Sequence, residues 1–373
     1  MLRRLELSGG PHDRGITHGE ELRNEIQANV ETYVDRFSKL GLDETALRER
    51  TDRYLSLIES CDEAYATEMR AIADGSGLPL EDIVLLNARY EIRYAAAARQ
   101  AKNTSKNTGS ESNDPDVTGT DGCTSFGIQS ERTDNDHSYL GQNWDFIPGL
   151  ELFMMDVRRD GGPNHIALSE AGIVGGKIGV NEAGIGMVIN GLASSRDGDD
   201  PYRTPFHVRC RKVLSADRLD VALRPLITED WTCSANFMIG HSVGEMLDVE
   251  VAPRSVNYHY PTDHLLVHAN HFEAQDDVES MLERLNPHTL CRAPRLKRLL
   301  SGHDVLDEAK MVGALRDHFG HPASICKHPD ESLPKHRWFR TNASVVIDLT
   351  ERRMRVADGP PCESEYHEYR VAE

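Results

Sequence analysis

The chain is short of lysine. Nine of its 42 basic residues are lysine, set against 61 acidic residues, and the formal charge is −19. Abundant carboxylate with sparse lysine is expected of a protein that stays soluble in concentrated salt, where self-repulsion is screened, so a halophilic cytoplasm is the expected setting. No long run of Lys and Arg occurs, which leaves out the clustered cations a phosphate backbone needs, and nucleic acid is not an expected partner. Nor does any stretch approach the about 18 consecutive apolar residues of a membrane span. The opening MLRRLELSGGPHDRG has a basic start without the apolar run of a secretory signal, so a cytoplasmic protein without a membrane partner is expected.

Paired cysteine motifs are missing too. The seven cysteines (Cys61, Cys123, Cys210, Cys233, Cys291, Cys326 and Cys362) are an odd set with no Cys-x-x-Cys, which argues against a disulfide framework and against a zinc knuckle. His268 and His271 in HANH point to opposite faces if the segment is a strand, and only Glu273 could join His271, too few ligands for a metal. The glycines of AGIVGGKIG have the wrong spacing for a phosphate loop, and Ile178 stands where a magnesium-binding hydroxyl would be required. No Gly-x-Gly-x-x-Gly follows a strand. Neither a metal nor a cofactor is expected.

What is present divides the chain in two. Residues 1 to about 100 read as mainly helical: Leu22, Ile26, Val30, Tyr33 and Phe37 recur at helical spacing, as do Tyr65, Met69, Ile72 and Ala73, with Pro79 opening a further helix. Residues 101–122 hold one valine and no other large apolar side chain, so they read as a solvated linker, accessible to cutting. From Cys123 the texture turns to strands joined by hairpins, with helices near 205–226 and 277–300, which predicts an α+β layered fold with antiparallel sheets. Residues 1–122 and 123–373 are thus read as two regions of one structural domain.

The first residue after the linker that could do chemistry is Cys123, directly behind Gly122. Asn143-Trp144-Asp145 follows one hairpin later, and paired hairpin ends lie within about 5 Å, so Asp145 can stand beside Cys123. DGCTSF, GQNWDF, EAGIVGGKIGVNEAGIGMVIN, HANH and SIC, in this order, resemble the acyl-coenzyme A:isopenicillin N acyltransferase family, a cysteine-peptidase-like branch of the N-terminal nucleophile hydrolases. GITHGEELRNEI and EMRAIADGSGLPLEDIVLLNARYE are similar to its helical part, so the likeness spans most of the chain.

The resemblance implies a four-layered αββα sandwich and a precursor that cuts itself between Gly122 and Cys123, leaving α and β fragments as partners. It also implies Cys123 as nucleophile, Asp145 orienting the new amine or assisting the cut, and Asn270 of HANH donating to an oxyanion. Asn190 and Ser125 are secondary candidates for the oxyanion or substrate. The family's C-terminal Ser-Arg pair has no clear match in KHRWFRTNASVV, where Arg337 or Arg340 could supply the arginine, and Ala252 replaces the serine before Pro253. Amide hydrolysis of a small N-acyl amine or peptide is the leading expectation. Transfer from a coenzyme A thioester substrate, and a non-catalytic binding module on the same fold, are the alternatives.

The charge yields a test. The Debye length falls from about 30 Å at ~0.01 M salt to about 3 Å at ~1 M, so repulsion that spans the molecule at low salt is local at high salt. The melting temperature is expected to rise across a chloride series toward molar concentrations. A flat or falling series would remove the halophilic reading.

Overall fold

Helical spacing after Gly19 becomes α2 (Arg23–Lys39), which buries Ile26, Val30, Tyr33 and Phe37 along one face. The computed structural model describes residues 1–96, 122–274 and 278–372, with Leu285 by its backbone alone. Apart from Gly122, the expected linker lies outside the described residues. Around α2 stand α1 (Pro11–Glu21), α3 (Glu44–Cys61), α4 (Glu63–Ser76), α5 (Leu80–Asn87) and α6 (residues 89–96). The Asp62 side chain accepts from the Tyr65 N–H to start α4, and Gly77 closes it in the left-handed region at φ 69°. α1 can lie directly on α4 because a Cβ at Gly15 or Gly19 would collide with the carbonyl oxygens of Glu68 and Ile72.

The first region is not helical throughout. β1 (Arg4–Leu7) alternates exposed and buried residues and pairs in parallel with β4 (Leu152–Val157), a departure from the expected antiparallel sheets. Four residues are too few for periodicity to reveal. The other named strand pairs are antiparallel. β1, β4, β5 (His165–Glu170), β6 (Ile178–Asn181), β7 (Ile185–Gly191), β8 (Ala235–His241), β9 (Met246–Ala252) and β10 (Ser255–His259) form, in that order, an eight-stranded sheet. The six-stranded sheet runs β11 (Leu265–His268), β2 (Thr124–Ile128), β3 (Tyr139–Phe146), β12 (Arg340–Asp348), β13 (Arg353–Asp358), β14 (Tyr366–Arg370).

Every residue of β2, β3, β5, β6 and β7 is buried, so these strands are covered on both faces. One cover is the opposite sheet, since β2 and β3 pack on β7 and β8. The other is helical. α1, α7 (Phe206–Leu214) and α8 (Leu219–Ile227) lie on the eight-stranded sheet, while α10 (Thr289–Ser301) and α11 (Glu308–Leu315) lie on the six-stranded one, with the short α9 (Leu282–Leu285) before them. This is the four-layered αββα sandwich that the resemblance implies.

Glu170, fully buried at the end of β5, ties the helical region to the sheets. It accepts hydrogen bonds from Tyr33 Oη at 2.6 Å, from Arg89 and from Lys177. Lys177, from the glycine-rich AGIVGGKIG, also sits 3.7 Å over the Trp144 ring, a structural place for a residue that resembled a phosphate ligand. Burial alone would raise the Glu170 pKa, but Arg89 and Lys177 hold it at about 2. Because this folded value lies below that of an unfolded glutamate, the stabilisation is present above about pH 4.3 and is lost as pH falls toward the folded value. Glu170→Gln, which removes the carboxylate that two buried cations share, is expected to cost about 3–5 kcal/mol at neutral pH. The deficit should shrink across that acid window in denaturant titrations at several pH values. A pH-independent deficit would exclude the ionised carboxylate as its source.

Candidate active site

The β2–β3 hairpin sets the site by its register. Thr124 stands opposite Asn143, which brings Gly122 to Asp145: the Gly122 N–H donates to the Asp145 carbonyl oxygen at 3.1 Å, and Cys123 Sγ lies 3.8 Å from the same oxygen. The juxtaposition expected from hairpin geometry is realised. Alternation then sorts the side chains. Phe126 and Ile128 pack with Leu296, Leu300 and Met311 of the outer helices. Ser125 turns the other way, between the sheets, where its hydroxyl donates to Asn190 Oδ1 on β7 at 2.7 Å. Cys123 belongs to that inner core and is fully buried.

A cation not anticipated from sequence grips this strand start. Arg292 lies on the buried face of α10 with Ala293, Leu296 and Leu300. Its Nη1 donates to the carbonyl oxygens of Gly122 and of Cys123, the latter at 2.6 Å, and to Thr124 Oγ1 at 2.7 Å. Its Nη2 donates to Asn270 Oδ1 at 2.7 Å. Burial lowers its pKa, while the charges of Asp145 and Cys123 act in the opposite sense.

Lys327 is the second unanticipated cation. A Cβ on Gly122 would collide with Lys327 Cε, stand 2.9 Å from Nζ and lie 3.1 Å from Asp145 Cβ, so any other residue would have to push the end of the Lys327 side chain aside. Burial, and then the nearby Arg292, bring the Lys327 ammonium down to about 7. Thr341 links this lysine to Asp145: its hydroxyl accepts the Lys327 N–H at 3.0 Å and donates to Asp145 Oδ1 at 2.7 Å.

The remaining candidates separate. Asn270 joins the site through Arg292, and its Nδ2 donates to the Gly191 carbonyl oxygen at 2.9 Å. Asn190 Oδ1 accepts from Ser125 and from Asn236 Nδ2 at 3.2 Å, while its own buried Nδ2 has no hydrogen-bond partner among the described residues. Arg337 lies in a 3₁₀ turn before β12. Arg340 starts β12 opposite Phe146 and lines a separate surface cavity with Met1, Glu25 and Asp358. The guanidinium at Gly122 is therefore Arg292's. The HANH histidines hold structure: His268 Nε2 meets Glu250 Oε1 at 2.8 Å, and His271 Nε2 lies 3.4 Å from Glu273.

A surface cavity of about 640 Å³ beside Gly9, Arg14, Arg159 and Arg211 includes none of these groups. The chemistry points instead to the buried Gly122–Cys123 peptide, where a thiol, a carbonyl held by a guanidinium, a lysine and a carboxylate converge. One clue to Arg292 was in the sequence: it occupies the apolar face of a helix, where an arginine needs a buried set of acceptors. Lys327 directly follows the SIC motif but carries no periodic signal.

A sequence profile of the family described as "Acyl-coenzyme A:6-aminopenicillanic acid acyl-transferase" matches residues 131–362, a span that begins after Cys123 and includes Asp145, Asn270, Arg292 and Lys327. The chain is 25% identical over 361 residues to the acyl-coenzyme A:6-aminopenicillanic-acid-acyltransferase 40 kDa form of Emericella nidulans, covering 96% of this chain and 92% of the relative. Among solved structures it resembles a variant of conjugated bile acid hydrolase from Clostridium perfringens (TM-score 0.47, 12% identity, 67% of this chain and 99% of the other). Penicillin V acylase from Agrobacterium tumefaciens gives a TM-score of 0.43 at 15% identity, over 63% of this chain and 83% of the other.

Proposed function

Because the chain belongs to the acyl-coenzyme A:6-aminopenicillanic acid acyl-transferase family, we propose that it is a self-processing cysteine hydrolase or acyltransferase that cuts Gly122–Cys123 and then works through an acyl-Cys123 intermediate. The observation that supports this best is the hydrogen bond from Arg292 to the Gly122 carbonyl oxygen, with Cys123 Sγ on the next residue. In the first reaction Sγ attacks the Gly122 carbonyl carbon. The C–S bond forms, the C–N bond breaks, and the thiol proton ends on the amine released. Negative charge that develops on the Gly122 oxygen meets a guanidinium already in place, the arrangement in which a fixed donor favours the transition state. Water then hydrolyses the thioester, leaving a Gly122 carboxylate and a free Cys123.

Matured Cys123 holds a thiol and an α-amine with ordinary pKa values of about 8.5 and about 7.7–8, so one can serve as base for the other. The thiol attacks the acyl carbon of a small amide, the amine leaves with a proton, and water or a second amine takes the acyl group. Asp145, fixed by Thr341, is the anion that would orient the new ammonium. Asn270 uses one amide hydrogen on Gly191, which leaves the second for an acyl oxyanion. Small N-acyl amines and peptides are the proposed substrates for hydrolysis. The family's description favours a coenzyme A thioester as alternative donor.

Intact-mass spectrometry of purified protein is the direct test, with fragments expected that divide between Gly122 and Cys123. Cys123→Ala should remain full length and inactive, since one sulfur makes both attacks. Gly122→Ala should mature far more slowly, because its methyl displaces Lys327. Cutting of the Cys123→Ala protein at the same bond, in the absence of other proteases, would assign the cut to another agent. In matured protein Asn270→Ala is expected to lower turnover per folded molecule by about 100- to 1000-fold, separately from the stability lost with one acceptor of Arg292. Normal turnover in a variant that melts early would make Asn270 a purely structural residue.

A further inference from the structure

The segment that carries Lys327 has a second concentration of reactive side chains on its other side. His318, Cys326, His328 and Cys362 each offer one ligand atom, and the four atoms lie within 4.8 Å of one another. The two Nε2 atoms of His318 and His328 are 3.2 Å apart, the two Sγ atoms 3.5 Å, and His328 Nε2 is 3.6 Å from Cys326 Sγ and 3.3 Å from Cys362 Sγ. A tetrahedron with zinc–sulfur bonds of ~2.3 Å and zinc–nitrogen bonds of ~2.05 Å has edges of roughly 3.8 Å (S to S), 3.5 Å (S to N) and 3.3 Å (N to N). These four separations match within a few tenths of an ångström, and the two remaining edges, from His318 to the sulfurs, are at most 4.8 Å.

A second observation concerns the orientation of His328. Its Nδ1 lies 3.4 Å from Glu363 Oε1, so the ring directs Nε2 to the cluster and Nδ1 to a carboxylate, the outer contact that usually sets a metal-binding imidazole. The backbone holds this arrangement open to the four side chains. The Cys326 N–H donates to Asp317 O and the His328 N–H to Pro322 O, both at 3.0 Å, while the Asp317 carboxylate is tied to Arg295 of α10. Cys362 arrives from the turn after β13.

We propose that His318, Cys326, His328 and Cys362 form a structural Zn²⁺ site. Two thiolates and two imidazoles suit zinc by softness and number, and four protein ligands leave no position for a substrate. Binding releases a proton from each thiol, and two thiolates then balance the ion's charge. The site clips the 317–328 segment to the C-terminal turn and so fixes Lys327, the neighbour of Cys326, against Gly122. His318 and Cys362 are exposed, which gives the ion a path in. The His321 ring, 5.3 Å from that of His328, packs beside the cluster as a neighbour.

Elemental analysis of the full chain purified under reducing conditions is expected to give one zinc per chain that survives dialysis. Cobalt put in its place should show thiolate-to-metal charge transfer and the visible bands of a tetrahedral ion. Glu363→Gln, a surface change that leaves all four ligands, should weaken zinc by about 10- to 100-fold in chelator competition. Cys362→Ser should weaken it more, and His321→Ala should retain it. The proposal is overturned if the wild-type chain binds neither metal in this way. It is also overturned if its mass shows a Cys326–Cys362 disulfide, if Cys362→Ser binds as the wild type does, or if His321→Ala loses the ion. None of these readouts depends on whether Gly122–Cys123 is cut.

Discussion

A guanidinium cannot leave water without acceptors, and Arg292 is 2% exposed. Its partners are the carbonyl oxygens of Gly122 and Cys123, the Thr124 hydroxyl, Asn270 Oδ1 and, one helical turn back, His288 Nδ1. Satisfying all of them at once requires α10 to cross the start of β2 and the HANH segment to return beside β7. Removing any one acceptor weakens the solvation of a buried positive charge, a loss of about 1.5–3 kcal/mol for a hydrogen bond to a charged group. The geometry of the nucleophile is thus enforced by the solvation needs of a side chain that takes no covalent part. Asp145 lies close enough to both Arg292 and Lys327 to favour their charged forms, opposing the burial that disfavours them.

Gly122 takes its meaning from the same crowding. The end of the Lys327 side chain and Asp145 Cβ stand where a Cβ would go, so packing as well as backbone freedom favours glycine before the nucleophile. In the uncut chain its N–H is spent on the Asp145 carbonyl and its C=O on Arg292. A residue held at both its N–H and its C=O has little freedom to swing that carbonyl, and under the proposed reaction this restraint replaces a search through conformations.

Much of this was legible where a local pattern carries it. The helical spacing from Leu22 to Phe37 and the hairpin that brings Asp145 back to Cys123 each follow from residues close in sequence, and both appear in the fold. Cys123 beside Asp145 followed from hairpin register alone. Arg292 was hidden because a helix face predicts burial but not what the buried group will meet, and its partners come from β2 and from the HANH segment. β1 was hidden by its length and by a partner about 150 residues away. The Cys and His cluster shows most plainly how spacing misleads. The absence of Cys-x-x-Cys excludes a knuckle built from one turn, yet Cys362 approaches Cys326 across β12 and β13, a meeting that only tertiary structure defines.

The same long-range ties bear on what a cut at Gly122 would leave. β1 is a strand of the eight-stranded sheet, with Met154 also bonded to Arg3 O at 2.8 Å, and Tyr369 Oη donates to Leu2 O at 2.9 Å. Tyr33 and Arg89 of the helical region reach the fully buried Glu170, and Asn87 Nδ2 donates to Gly172 O at 2.9 Å. Separating the two fragments would strand Glu170 beside Lys177 with its other partners gone, and would strip the apolar face of α2 from the core it shares with Phe153 and Val174. The proposed cleavage would therefore divide the covalent chain while leaving one hydrophobic core, because the bonds joining the halves are distributed along the first region and do not depend on the residues next to the cut.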